Sequence, residues 1–491
     1  MILCVGLVLA CGFLWYWYLT KNHKYWASRG VAGPQPLPIF GTYLCQFFTP
    51  FQDSELERYE KYGKIYGIYD GTQPGLIVGR PDLVRQIMVG QLALDVFRNR
   101  RAVKTTHPVM AKFLSSLEDD TWKRVRSITA PTFTSGKLKR IIPCMTAASG
   151  PLLANLAAAA ANASDLDLKA LFGAYTMDVI AHSAFATTPD DVFVQQASLL
   201  FTFPFWRKFL DYIVPMAVLE KFSFTVLPKD PMTFFREVTI RIIRHRRATG
   251  EMHHQDFLQL LMDAEETEET GSDVKKKLTE EEILAQSVLF FSVGFETSSQ
   301  LLAYAGYCLA LNPDVQDTAY EKIIEALQKK YGTEIPEEID PEELTKIKYL
   351  NAVLDETLRL YNPVLRMERR ASSDFQLGDT NIIIPKGMIV GIPVWAMHHS
   401  EEFYPDPWAF DPERFLTGNI VPGTYLPFGD GPRNCIGSRF ALLESRIALA
   451  KILLKFKFVR SPTTKVPLEF FPTGRPLLGP KAIVVRVEER N

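Results

Sequence analysis

The chain has 491 residues, 47% of them hydrophobic, with a formal charge of −1. That much apolar material suits one large α-rich enzyme as well as two or three smaller domains, and the near-neutral balance leaves no basic stripe for nucleic acid, which is excluded as a partner. Six cysteines, Cys4, Cys11, Cys45, Cys144, Cys308 and Cys435, are scattered without paired spacing, as where thiols stay reduced, so the bulk of the chain is expected to face the cytosol.

Met1 to Leu19 carries no charged residue, and as a helix it would span roughly 28 Å, close to the hydrocarbon core of a bilayer. Residues 1–20 are therefore expected to be a transmembrane anchor. Trp15, Tyr16, Trp17 and Tyr18 stand where an interfacial aromatic belt would lie, and Lys21, Lys24 and Arg29 follow on the cytoplasmic side. The rival reading is a cleaved signal peptide, but the segment lacks a basic start and a small-x-small site at the end of its apolar run. Residues 21–38 read as a basic, proline-rich hinge, because Gly33-Pro34-Gln35-Pro36-Leu37-Pro38 excludes helix. No repeat, long low-complexity tract or second linker follows, so residues 39–491 are expected to form one domain.

Strand-like pieces occur near Lys64 to Val78, Asn381 to Ile384 and Ala482 to Val487, while long amphipathic or apolar runs dominate elsewhere. The expected class is mainly α with a small β region. Trp122-Lys123-Arg124-Val125-Arg126 reads as an amphipathic helix with Trp122 and Arg126 one turn apart. Phe201 to Phe235, dense in Phe, Leu and Val, reads either as core or as a segment dipping into a membrane. Glu265 to Lys277 reads as a solvated loop.

The longest helix candidate begins at Leu278, where Thr279 and Glu282 form a capping box, and runs to about Leu311 before Asn312-Pro313 stops it. Its apolar centre is interrupted by Gly294, Glu296, Thr297 and Ser298. Glycine can make room for a ligand. A Thr hydroxyl can bond back to a carbonyl one turn earlier or, if the helix opens, to dioxygen and water, with Glu296 relaying protons. Packing alone would also explain such residues. Further on, Glu356 and Arg359 share a helical face, a pairing that means little by itself.

The most informative stretch is Phe428 to Gly437, F-G-D-G-P-R-N-C-I-G, a glycine-punctuated loop that delivers Cys435 to the start of a helical run, Ile436 to Leu454. Gly429 and Gly431 permit close backbone approach, and Asp430 and Pro432 supply turn chemistry. Amides of the first helical turn would point at the sulfur and favour its thiolate, the form that ligates iron. Arg433 offers a forked cation to a haem propionate, and Phe428 an aromatic face beside the ligand. A zinc site is ruled out, since no second cysteine or histidine lies at ligand spacing.

This loop resembles the haem-binding signature of the cytochrome P450 family, F-x-x-G-x-R-x-C-x-G, at every specified position. Gly294, Glu296, Thr297 and Ser298 resemble the family's oxygen-activation motif, with one departure: Val293 stands where the pattern has Ala or Gly, which puts pocket volume in question. Glu356 and Arg359, with Arg414 from Pro412-Glu413-Arg414-Phe415, match the family's buried charge network, a structural element. Trp122 and Arg126 match its W-x-x-x-R helix facing a haem propionate, and Arg369 looks like another propionate partner. The resemblance runs from about Gly30 to the C-terminus, most like the animal microsomal, xenobiotic-metabolising members.

It implies the haem-thiolate fold, haem b (iron protoporphyrin IX) on Cys435, and a monooxygenase reaction in which one atom of O2 enters a substrate and the other leaves as water. Thiolate ligation promotes O–O cleavage, and Thr297 with Glu296 would organise proton delivery. No nucleotide-binding signature occurs in the chain, so electrons must come from a partner, in such relatives an NADPH-dependent flavoprotein reductase, at the endoplasmic reticulum membrane. Lys123, Arg124, Lys137, Lys139 and Arg140 are its candidate docking face, or plain solubilising charge. By family position, Arg101 to Leu117, Phe203 to Phe224, Phe290, Val293, Val364, Leu365 and Phe470 to Thr473, Phe471 among them, would line a pocket for lipophilic molecules. Alternatives are a thiolate-haem isomerase acting on peroxides and a non-catalytic haem sensor.

Overall fold

Thr279 caps the longest helix as its sequence predicts. Its hydroxyl accepts from the Glu282 amide at 3.2 Å while the Glu282 carboxylate accepts from the Thr279 amide at 3.0 Å, and the helix runs Glu280–Leu311. A helix that is apolar nearly all round must be buried. This one packs against the helices Leu168–Phe185, Lys229–Thr249, Lys348–Leu360 and Ser438–Lys455 and forms the axis of the body. The structure, a computed structural model, describes residues 1–102, 107–185, 191–201, 214, 229–250, 256–264, 277–334, 336, 339–472 and 477–490. Most of the expected pocket segment after Phe203, part of the one after Arg101, Thr473 and nearly all of the charged run after Glu265 lie outside the described residues.

The stretch expected to be extended near Lys64 folds into two antiparallel strands, Ile65–Asp70 and Gln73–Val78, turned at Gly71 with φ +58°. Gln73–Val78 pairs in parallel with Ile389–Ile392, which pairs antiparallel with Met367–Arg370. The last two strands are too short for a clear alternation of apolar and polar residues and were not expected. A three-stranded sheet joins Leu166–Asp167, Val484–Glu489 and Phe456–Val459, and a two-stranded one joins Phe375–Gln376 and Ile383–Ile384.

Ile2–Thr20 is one helix with no buried residue, long and apolar enough to cross a membrane. Ser135–Ala161 is longer and less apolar but also long and apolar enough to cross, and it buries Leu138, Met145, Leu152 and Leu156 against neighbouring helices and the Val484–Glu489 strand. The hinge is shorter than the sequence suggests. Trp26 is buried, its indole donates to the Ile68 carbonyl at 3.2 Å and its amide to the Tyr69 hydroxyl at 3.1 Å. Gly33 also packs so tightly on Gly67 that a β-carbon would meet its carbonyl oxygen at 2.2 Å. Burial of an indole with its N–H satisfied outweighs the stiffness of the prolines that follow, so the chain is docked from Trp26 onward.

Candidate active site around Cys435

The loop from Phe428 is held by its own backbone. The Cys435 amide donates to the Phe428 carbonyl at 2.8 Å, and the Asp430 carboxylate accepts from the Gly431 amide at 2.7 Å. Gly429 and Gly431 adopt φ of +71° and +68°. At Gly431 a β-carbon would fall 1.7 Å from the Met88 carbonyl oxygen, so only glycine lets the loop seat on the end of the Pro81–Met88 helix. The following helix starts at Ser438, slightly later than Ile436, because the Gly437 and Ser438 amides turn toward the Cys435 sulfur. Burial pushes the Cys435 thiol up, while those amides and the cations Arg100 and Arg126 pull it down.

Four arginines gather beside this loop, and two of them, Arg100 and Arg126, act on the sulfur directly. Arg433 donates to the carbonyls of Arg98 and Leu117, both at 2.8 Å, and its guanidinium lies 3.9 Å from the centre of the buried Trp122 ring. Arg100 donates to the Arg433 carbonyl at 2.8 Å, and Arg126 to the carbonyl and side chain of Asn434 at 3.0 and 2.8 Å. Arg369, on the Met367–Arg370 strand, is buried, and among the described residues its guanidinium bonds only the Glu368 carbonyl. None of the four has a carboxylate within ion-pair distance among the described residues. Desolvation lowers all four guanidinium pKa values, those of Arg369 and Arg433 to about 9; repulsion from neighbouring arginines adds to it at Arg126, Arg369 and Arg433, while the Cys435 sulfur opposes it at Arg100 and Arg126. Desolvated cations without anions fit a dianionic group beside the sulfur, and haem carries two carboxylates. Arg100 went unread in the sequence, where it is one member of the basic run Arg98-Asn99-Arg100-Arg101. Its neighbour Arg101, assigned to the pocket, instead pairs with Glu368 at 2.6 Å and with Asp70.

From Glu282 to Ala310 the long helix is buried except at Leu289, Phe290, Val293, Gly294 and Thr297, positions that share one face over two turns. Val293 is 42% exposed there, and the Thr297 hydroxyl donates to the Val293 carbonyl at 2.9 Å, so the helix is closed rather than opened at this point. Gly294 was read as room for a ligand, but a β-carbon there would meet Ile180 at 2.7 Å: its room is filled by the Leu168–Phe185 helix. Glu296 points away from the opening. Its Oε1 accepts from Gln300 at 2.7 Å and lies 3.0 Å from the Lys169 ammonium. Phe290 stacks on Phe257 at 4.4 Å and meets Phe440, in the first turn after the thiolate loop, at 5.7 Å. Of the other expected pocket residues, Leu365 is buried in the core, Val364 is half-buried and bridged to Leu477, and Phe471 is 54% exposed.

Behind the loop, Glu356, Arg359 and Arg414 do meet. Arg359 grips both carboxylate oxygens of Glu356 at 2.7 Å, and Arg414 Nε donates to Glu356 Oε1 at 3.0 Å. The Glu356 and Arg359 side chains are 0% exposed. Arg359 also donates to the His398 and Pro407 carbonyls at 2.8 Å. His398 is a further residue without a sequence signal: its Nε2 accepts from the Leu426 amide at 3.0 Å, two residues before the loop.

A helical body, a cysteine at a helix start with a guanidinium cage beside it, and a buried Glu-Arg-Arg network define a haem-thiolate protein. The cytochrome P450 family profile matches residues 31–487. Cytochrome P450 3A11 of Mus musculus is 37% identical over 100% of this chain and 96% of its own length. Cytochrome P450 3A7 of Homo sapiens is 36% identical, again over 100% and 96%, and cytochrome P450 3A56 of Fundulus heteroclitus is 38% identical over 94% of both chains. The chain belongs to the cytochrome P450 family and is a P450 monooxygenase, with the haem cofactor that membership implies.

Proposed function

We propose that this enzyme oxidises lipophilic molecules at the surface of the endoplasmic reticulum, taking electrons from an NADPH-dependent flavoprotein reductase. The observation that carries the substrate class is the one open face of the otherwise buried central helix, where Leu289, Phe290 and Val293 are apolar and Thr297 supplies the only hydroxyl. Lipophilic substrates also fit an apolar N-terminal helix, Ile2–Thr20, which in this reading is a single-pass anchor that leaves residues 39–491 on the cytosolic face.

Cys435 Sγ would ligate the haem iron, and Arg100, Arg126, Arg369 and Arg433 would hold the haem carboxylates, with Trp122 backing Arg433 and the Phe428 carbonyl holding the Cys435 amide. Haem held there supplies oxygen activation, which thiolate ligation favours. The Thr297 hydroxyl orients protons on the open face. Glu296, paired to the partly exposed Lys169, forms the solvent end of the relay, so an incoming proton reaches its carboxylate past that ion pair. Of the basic residues before and after Phe133, Arg124 is occupied by Glu282 and Lys139 by Glu342. Lys123 and Arg140 remain exposed and free of ion pairs among the described residues, which suits them to an acidic reductase face.

The test is a titration of the haem-loaded protein with sterols, fatty acids and aromatic drugs, read as a Soret shift, followed by turnover with NADPH and reductase. Shifts and oxygenated products confined to lipophilic ligands are the expected result. Spectral binding of hydrophilic ligands only would overturn the substrate class.

A further inference from the structure

Three consecutive acids, Glu118, Asp119 and Asp120, stand at the start of the Asp119–Thr129 helix, where its dipole favours negative charge. The outer two take cations. Glu118 pairs with Arg370 at 2.5 Å and Asp120 with Arg98 at 3.4 Å. Asp119 takes a neutral partner: its Oδ1 accepts from Asn99 Nδ2 at 2.9 Å, and its amide donates to Asn99 Oδ1 at 3.0 Å. It does so at φ +49°, a conformation that a residue with a side chain keeps only when its surroundings hold it there.

Asn99 is buried, and its other contacts run to the arginine cage. Its carbonyl accepts from the Arg370 amide at 2.8 Å, and its Oδ1 lies 3.4 Å from Arg433 Nη2. Asn99 and its clamp are therefore tied to the elements that carry all four unpaired arginines, directly for Arg100 and Arg433 and through the strand and the helix for Arg369 and Arg126. Arg100 follows it in sequence, Arg369 precedes Arg370 on the strand, Arg433 bonds it directly, and Arg126 stands two turns into the helix that Asp119 begins.

The chemistry explains the amide. A carboxylate at this position would pair with Arg433 and compete with an incoming anion, and a cation would seize Asp119 and add to the repulsion among the arginines. A neutral side chain with donor and acceptor on one plane satisfies Asp119 and leaves the cage uncompensated.

We propose that Asn99 is a positioning residue for the haem carboxylates: the Asn99–Asp119 pair sets the spacing of Arg100, Arg126, Arg369 and Arg433 and keeps Asp119 out of their charge balance. The inference rests on the reading of those arginines as haem-carboxylate partners.

The experiment uses the full haem-loaded chain and measures the rate of haem transfer to apomyoglobin, the midpoint reduction potential and the urea unfolding midpoint. Asn99→Ala should speed haem loss by about tenfold or more, the usual scale for removing an outer-sphere partner, and shift the potential, with little movement of the unfolding midpoint. Asn99→Asp should also speed it, and the exchange Asn99→Asp with Asp119→Asn, which restores donor opposite acceptor but leaves a carboxylate beside Arg433, should stay as fast as Asn99→Asp alone. Should Asn99→Ala fail to fold, Asn99→Asp decides: faster haem loss with an unmoved unfolding midpoint supports the proposal, and wild-type haem loss overturns it. Arg433→Ala and Arg100→Ala separate the two layers. If they release haem faster while Asn99→Ala behaves as wild type, the role of Asn99 is refuted; if they too leave haem loss unchanged, the carboxylate reading of the cage fails and takes the proposal with it.

Discussion

Nε2 of His398 accepts the amide hydrogen of Leu426 at 3.0 Å, while its Nδ1 lies 3.2 Å from the Arg359 carbonyl. An amide can only donate, so Nε2 carries the lone pair and Nδ1 the proton, which it gives to Arg359. One neutral imidazole thus couples the buried Glu356-Arg359 pair to the root of the Cys435 loop.

That coupling has a pH signature. Burial holds His398 well below its ordinary value of 6.5 and brings the adjacent His399 down to about 3. Below pH 6.5 the unfolded chain protonates both rings while the folded one does not, so the unfolded state binds more protons and stability falls as pH falls. Each ring contributes a loss of about 1.4 kcal/mol per pH unit until its folded value is reached. Urea unfolding of wild type and His398→Gln between pH 6.5 and pH 5 should show the shallower slope in the variant, by one proton. Equal slopes would show that His398 titrates alike in both states.

Arg359 donates to Glu356 and to the carbonyls of His398, Pro407 and Ala409, all from a side chain that is 0% exposed. Arg359→Ala strands the Glu356 carboxylate with Arg414 as its one remaining cation, at a cost of about 3–5 kcal/mol. Haem incorporation should be lost along with the red-shifted Soret band of the reduced carbon monoxide complex. Arg359→Lys keeps the charge but not the fork, and should recover only part of it. An Arg359→Ala protein with a full complement of haem would remove the network from any role in holding the loop.

What the sequence made legible was local. The Cys435 loop, the Thr279 capping box and the Glu356–Arg359 face lie within a few residues each, so turn chemistry and helical spacing are enough to find them. Asn99, Arg100 and His398 were invisible because each draws its meaning from segments far away in the chain: Asn99 from Asp119 and Arg433, Arg100 from Cys435, His398 from Arg359 and Leu426. Gly294 misled for the same reason, since a glycine in a helix shows that a side chain is missing but not which neighbour occupies the space. Glu296 was placed correctly on its helix, yet its Lys169 partner comes from the next helix over.

Lys169 gives a way to separate the two halves of the proton route. Glu296 Oε1 is bonded to Gln300 and to Lys169, whereas Thr297 stands on the open face. Thr297→Ala should raise peroxide released per NADPH consumed, if its hydroxyl directs protons as proposed. Lys169→Met should leave that coupling ratio nearly unchanged and alter the turnover rate and its solvent isotope effect, since it touches only the entry of protons at Glu296. If Lys169→Met uncouples as strongly as Thr297→Ala, the two residues act at one step and the division of labour is wrong.

In the proposed reading, Val293 would limit substrate size. It is 42% exposed on the open face of an otherwise buried helix, one turn before Thr297, whose hydroxyl is bonded to the Val293 carbonyl. That hydrogen bond fixes the backbone, so the β-branched side chain cannot withdraw by unwinding the turn. Val293→Ala removes two methyl groups from the cavity side and leaves the bond intact. Ligands longer or broader by one or two carbons should then bind more tightly, by up to about 1.5 kcal/mol at ~0.8 kcal/mol per buried methylene, or roughly tenfold in the spectral Kd. Val293→Phe should shift the preference the other way, toward smaller ligands, with haem content unchanged in both variants. A homologous ligand series whose optimum stays at the same length in all three proteins would mean that the wall of the pocket lies elsewhere.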